Sequence, residues 1–221
     1  MWENRYILIL GMIYEYDNIL RIKNNKKMTN KFTFVLIFVL YFSTSFCQTL
    51  KYDIFLLGKK IGETVIEKKD SAGLIQYTVK SHSDAKILGM DKKDAMATEA
   101  LFDKKGDMIS SAYDDVKNKE HLTTMVTAKE NNLIIDKNGK QASMASTVSF
   151  CSIQLYFSEP KDHQKIFSER LGQFVEIVKQ KNGNYKIAFN DYTGVYTYIA
   201  GKLTELQMKE TAGEVVMKLV Q

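Results

Sequence analysis

The stretch Lys51-Tyr52-Asp53-Ile54-Phe55-Leu56-Leu57-Gly58-Lys59-Lys60-Ile61-Gly62-Glu63-Thr64-Val65-Ile66 decides the architecture. Tyr52, Ile54 and Leu56 recur at every second position, which puts them on one face of an extended strand. Gly58-Lys59-Lys60 then supplies a turn, and a second run begins at Ile61. Two such runs so closely joined form an antiparallel hairpin. Asp70-Ser71-Ala72-Gly73 closes it.

Working outward toward the C-terminus, residues 74–82 continue in the same β-branched and aromatic style, and 95–102, 108–116, 121–128 and 133–136 read as further short strands. Asp103-Lys104-Lys105-Gly106-Asp107 and Asp136-Lys137-Asn138-Gly139-Lys140 are the turns between them. The period changes at Ser149-Phe150-Cys151-Ser152-Ile153-Gln154-Leu155-Tyr156-Phe157. There Phe150, Ile153 and Phe157 fall at helical spacing, and Ser158-Glu159-Pro160 ends the run. This predicts a short helix lying as a lid or plug against a sheet. Strand patterns resume at 165–168, 172–180, 185–189, 195–200, 203–209 and 215–220, with turns at 181–184 and 190–194. The fold class is therefore mainly β: an antiparallel β-barrel or strongly curved meander sheet with one short helix. A β-sandwich is the alternative.

Working outward toward the N-terminus, Met28-Thr29-Asn30-Lys31 precedes the apolar run Phe32–Phe42, and Ser43-Thr44-Ser45-Phe46-Cys47-Gln48 follows it. A positive start, a short apolar centre and a small-residue end are the features of an export signal. The run is short of the roughly 20 residues a membrane-spanning helix needs. Ser45 and Cys47 place small side chains at the third and first positions before Gln48, which sets cleavage between Cys47 and Gln48. Acylation of Cys47 is the weaker alternative, because Phe46 is bulky where a small residue is wanted. Residues 1–27 read as an extension upstream of the true start, residues 28–47 as the signal, and residues 48–221 as a single β-rich domain, periplasmic or secreted. No transmembrane span is expected in the exported form.

Residues 48–221 hold 25 Lys plus Arg against 23 Asp plus Glu, a net of +2, out of +5 for the whole chain. A surface so nearly balanced lacks the basic face that nucleic-acid binding requires. Of the 2 cysteines only Cys151 follows the cut, so no internal disulfide is available. The single proline, Pro160, and the lack of a polar linker argue for one domain.

Chemistry-bearing residues are sparse. Cys151 would need one of His82, His121 or His163 nearby to act as a nucleophile, and its apolar surroundings suit a buried small hydrophobe as well. The three histidines, with Asp84 or Asp162, show no paired metal-ligand spacing. Asp114 and Asp115, adjacent on a strand, point to opposite faces. Arg170 is the only arginine after the cut, and its rigid fork suits either a fixed carboxylate, Glu159 being the candidate, or an anionic headgroup. Tyr185, Tyr192, Tyr196 and Tyr198, with Phe174 and Phe189, make the C-terminal strands densely aromatic, as expected of a core or of an apolar binding mouth.

The hairpin Tyr52–Glu63 is similar to the opening unit of exported domain-of-unknown-function families of Gram-negative bacteria. Leu155-Tyr156-Phe157-Ser158-Glu159-Pro160, Phe167-Ser168-Glu169-Arg170-Leu171-Gly172 and Tyr196-Thr197-Tyr198-Ile199-Ala200-Gly201 resemble their second half. The resemblance implies a single exported antiparallel β domain and carries no assigned activity. No catalytic, metal or cofactor site is expected. The leading expectation is a non-catalytic envelope module that binds a lipid-like or apolar ligand through Arg170, Tyr156, Tyr196 and Tyr198. A structural partner of another envelope protein, using exposed strand edges, is the second, and a cysteine-dependent hydrolase the third. Intact-mass measurement of the exported form is expected to show a chain beginning at Gln48; a mass that retains Cys47 with a lipid adduct would refute that cut.

Overall fold

Tyr52, Ile54 and Leu56 are all buried, as their alternation requires. The computed structural model describes residues 46–87, 90–117, 120–190, 192–210 and 213–220; the proposed extension 1–27 and the signal as far as residue 45 lie outside the described residues. Strands β1 (Phe46–Leu56), β2 (Lys59–Ser71), β3 (Leu74–Ile87), β4 (Met90–Phe102), β5 (Met108–Lys117), β6 (Glu120–Lys129), β7 (Asn132–Lys137) and β8 (Lys140–Ala145) form one meander. Strands β9 (Lys165–Ser168), β10 (Gln173–Lys179), β11 (Tyr185–Phe189), β12 (Tyr192–Ile199), β13 (Lys202–Glu210) and β14 (Gly213–Leu219) form a second.

Pairing of β1 with β14, in the register Tyr52 to Leu219 and Ile54 to Met217, fuses the two meanders. The result is one antiparallel sheet of 14 strands in the order β8-β7-β6-β5-β4-β3-β2-β1-β14-β13-β12-β11-β10-β9. This is the curved meander expected from the sequence; a sandwich of two separate sheets is not formed. Both halves contribute to one apolar core, for instance Val79, Phe102 and Val126 from the first and Ile177, Ile187 and Leu206 from the second. A sheet whose inward faces meet in one core has to curl on itself.

Strands β8 and β9 are the two ends of the sheet and do not pair with each other. The crossover between them does the bridging. The backbone N–H of Met108 at the start of β5 donates to the Val148 carbonyl at 2.8 Å, and the N–H of Phe167 in β9 donates to the Phe150 carbonyl at 3.1 Å. A parallel bridge between Cys151 and Phe167 continues this contact. The crossover then turns inward as the expected helix, in a shorter and tighter form. It is a 3-10 helix over Ser152–Tyr156 rather than a helix from residue 149. Its buried Ile153 and Leu155 make it a plug. Phe150 and Phe157 flank the helix, and Phe157 packs on Tyr77 with ring centroids 5.5 Å apart.

Three strand regions differ from the sequence expectation, each for a local reason. Residues 83–87 and 90–94, rich in Asp and Lys, extend β3 and β4, whose register runs on to Ile87 opposite Met90. There the partner strand supplies the hydrogen bonds that intrinsic propensity disfavours. Strand β8 is exposed at almost every position and so has no alternation to detect. Tyr192–Gly194 belongs to β12 rather than to a turn.

Gly172, in the β9–β10 connection, packs closely against the first half of the sheet. Its φ is +65°, and a Cβ there would lie 2.7 Å from Cγ2 of Ile135 on β7. Only glycine meets both demands without strain. Gly172→Ala is expected to destabilise the fold by about 1–3 kcal/mol through backbone strain and overpacking, measured as a lowered urea midpoint with an unchanged slope; an unchanged midpoint would refute the close approach.

Candidate functional site

The curled sheet does not fill its interior. A cavity of about 380 Å³ lies between the two halves and the plug. Val79, Met96, Thr98 and Tyr113 line it from β3, β4 and β5. Val175, Ile187, Leu206 and Met208 face them from β10, β11 and β13, with Phe189, Tyr192 and Tyr196 beside them. Ile153 and Tyr156 form the wall contributed by the plug. A concave, mainly apolar space carrying a few polar groups is the usual form of a small-molecule site, commonly roughly 300–1,000 Å³.

The plug is held by a buried carboxylate. Glu169, only 1% exposed, accepts hydrogen bonds from the backbone N–H groups of Ser152 at 3.1 Å and Ile153 at 3.0 Å, and from the Ser152 hydroxyl. The first N–H groups of a helix have no partner within it, so an acceptor at that end satisfies them. A buried carboxylate is tolerable only when its oxygens are met in this way. Gln154 adds a second clasp, its Oε1 accepting from the Cys151 N–H at 2.8 Å. Tyr198 secures the other end by donating to the Leu155 carbonyl at 2.8 Å. Tyr52 ties β1 to β13 through a 2.8 Å bond to the Leu203 carbonyl and meets Tyr156 edge-on at 5.5 Å.

Of the four side chains expected to bind ligand, Arg170, Tyr156 and Tyr196 line the cavity. Tyr198 does not; its phenol serves the plug, and its ring meets Tyr185 edge-on at 5.7 Å. Burial pushes the Tyr113, Tyr156 and Tyr196 hydroxyls above the ordinary phenol range, so they stay neutral at physiological pH. Neutral phenols remain available as hydrogen-bond donors.

The expected ion pair between Arg170 and Glu159 does not form. Glu159 instead accepts from the Tyr185 hydroxyl at 2.9 Å and pairs with Lys161 at 3.6 Å and Lys179 at 3.8 Å. The carboxylate that matters is Glu169, which serves the plug. Its importance was illegible because its donors are backbone groups of another segment.

Cys151 is fully buried, and burial, reinforced by the Glu169 charge, raises its thiol well above the usual range. A nucleophilic cysteine needs the opposite shift. The histidines stay apart in the described structure: His82 is exposed on β3, His121 on β6 bonds Asp114 at 3.0 Å, and His163 stacks on Phe150 at 4.1 Å. Asp114 and Asp115 diverge as strand geometry demands, Asp115 accepting from the Tyr113 hydroxyl at 3.0 Å. Among the described residues no group of three His, Cys, Asp or Glu side chains is placed to hold a metal. No described helix is long and apolar enough to cross a membrane. Cys47 and Gln48 lie within β1, opposite Lys69 and Lys68, with Cys47 exposed.

A single curled antiparallel sheet around a plugged, partly empty interior defines a β-barrel-like domain. Residues 52–220 match the profile of the DUF6134 family, a domain of unknown function, and the chain belongs to that family. No curated protein matches the sequence. Among solved structures the fold is similar to the β-barrel-like protein of the domain of unknown function DUF1849 from Brucella abortus. The TM-score is 0.53 at 14% identity, over 78% of this chain and 95% of that one. At that identity the likeness is one of fold.

Replacing Glu169 by Gln is expected to lower stability by about 1.5–3 kcal/mol, the range for hydrogen bonds to a charged group. Cys151 in the unmodified protein should resist a thiol-reactive reagent until denaturant is added, and should label faster in Glu169→Gln. Peptide mass mapping reads both; equal labelling of Cys151 in native and denatured protein would refute the plug arrangement.

Proposed function

We propose that this chain is an exported, non-catalytic binding module of a bacterial envelope that holds a lipid-like or other apolar small molecule in its internal cavity. The single observation that carries this is the space of about 380 Å³ left between the two halves of the sheet and the plug, walled largely by aliphatic, methionine and aromatic side chains. A core that needed only to be stable would close such a space, because each buried void forfeits packing contacts. Two methionines, Met96 and Met208, lie on opposite walls, and their flexible thioethers adapt to variable apolar guests. Export is supported by the order of charged, apolar and small residues from Met28 to Cys47, and a periplasmic or secreted location follows from it.

The strand-edge reading retains one supporting observation. Strand β8 ends the sheet with nearly every side chain exposed, so its outer hydrogen-bonding edge is open to a partner strand. A cysteine hydrolase has the weakest support, given the buried, raised thiol of Cys151.

Native mass spectrometry of the purified exported protein is expected to show a co-purified apolar molecule at one per chain. After its removal, the neutral fluorescent probe N-phenylnaphthylamine should bind with one-to-one saturation. Met208→Trp, which fills the cavity from β13, should weaken probe binding by about tenfold or more while the fold is retained. Absence of both a co-purified molecule and saturable probe binding would overturn the proposal.

A further inference from the structure

We propose that the ligand is an amphiphile with a single carboxylate head, held by the Arg170 guanidinium at the mouth of the cavity while its apolar tail lies among Met96, Val175, Leu206 and Met208. This rests on the apolar-cavity reading and names the chemistry of its ligand.

Arg170 lines the cavity and is the only arginine in residues 48–221. Among the described residues its side chain has neither an ion pair nor a hydrogen bond, whereas lysines such as Lys60, Lys69 and Lys179 are paired with Asp53, Glu67 and Glu159. Glu169, its neighbour in sequence, and Asp115, the partner of the cavity-lining Tyr113, have other partners. Glu169 faces the plug and takes its donors from Ser152 and Ile153. Asp115 accepts from the Tyr113 hydroxyl at 3.0 Å.

The backbone that presents Arg170 is fixed from both halves of the sheet. The Thr124 hydroxyl on β6 donates to the Arg170 carbonyl at 2.9 Å. The N–H groups of Leu171 and Gly172 donate to the Ser168 carbonyl at 3.2 and 2.8 Å, and Gly172 abuts Ile135. A long side chain on so constrained a turn loses less freedom on binding than one on a loose loop. Arg170 is close enough to Tyr113 for its charge to act on that phenol, whose own proton is committed to Asp115.

One guanidinium balances a monoanion and matches the two oxygens of a carboxylate. A dianionic phosphate would leave one charge uncompensated. The cavity walls beyond Arg170 are mainly apolar, which demands a tail.

The test is displacement of N-phenylnaphthylamine from the ligand-stripped exported protein by dodecanoate, by dodecanol and by acetate. Dodecanoate is expected to displace the probe at about tenfold lower concentration than dodecanol, and acetate not at all. Arg170→Gln should abolish the preference for dodecanoate and leave dodecanol unchanged, and Arg170→Lys should keep part of it. Near-UV circular dichroism checks that the variants keep the fold, and the comparison of ligands on the unmodified protein stands without them. Equal displacement by dodecanoate and dodecanol, or a preference that survives Arg170→Gln, overturns the headgroup assignment and leaves the cavity reading standing. If neither the probe nor dodecanol binds, both fall together.

Discussion

The rest of the structure depends on the hydrogen bonds that Glu169 accepts from the first turn of the plug. A sheet with two unpaired ends can stay curled only if something inside it holds the ends in place. Here the crossover from β8 to β9 does so, touching β5 through Val148 and β9 through Phe150 before it turns inward. Glu169 follows directly after β9, so its bonds to Ser152 and Ile153 tie the sheet's last edge to the plug. The surrounding core excludes water from those bonds, which makes them worth more than the same bonds at the surface.

The plug also explains why a cavity exists. Its five-residue 3-10 helix fills the interior between β1, β3 and β13, where Tyr52, Tyr77 and Leu203 are packed against one another or against the plug's aromatic residues. Space remains beside it, bounded by Val79, Met96 and Tyr113 on one side and by Val175, Ile187, Leu206 and Met208 on the other. Position along one short helix thus divides the interior into a packed part and an open part. Arg170 sits at the open part because it adjoins the residue that fastens the plug.

Burial has opposite consequences for the two kinds of group in this interior. It removes Cys151 from reactivity by disfavouring the thiolate, and it keeps the cavity phenols in the neutral, hydrogen-bonding form.

Local periodicity was enough to determine most of the strands, because an inward face of apolar residues at every second position is a property of consecutive residues. Tyr52, Ile54 and Leu56 declared β1, and the change of spacing at Phe150, Ile153 and Phe157 declared the plug. The same logic was blind to β8, which buries no face, and to the charged end of the β3–β4 hairpin, where pairing outweighs propensity. The site was legible only in part: Arg170, Tyr156 and Tyr196 could be singled out as an isolated guanidinium and an aromatic cluster. That Glu169 rather than Glu159 is the decisive carboxylate, that Tyr198 serves the plug, and that Tyr113 and Arg170 line one cavity depended on contacts between residues distant in sequence. Such contacts follow from how the sheet closes on itself, and closure is decided by the β1–β14 pairing and the plug together, which no local pattern encodes.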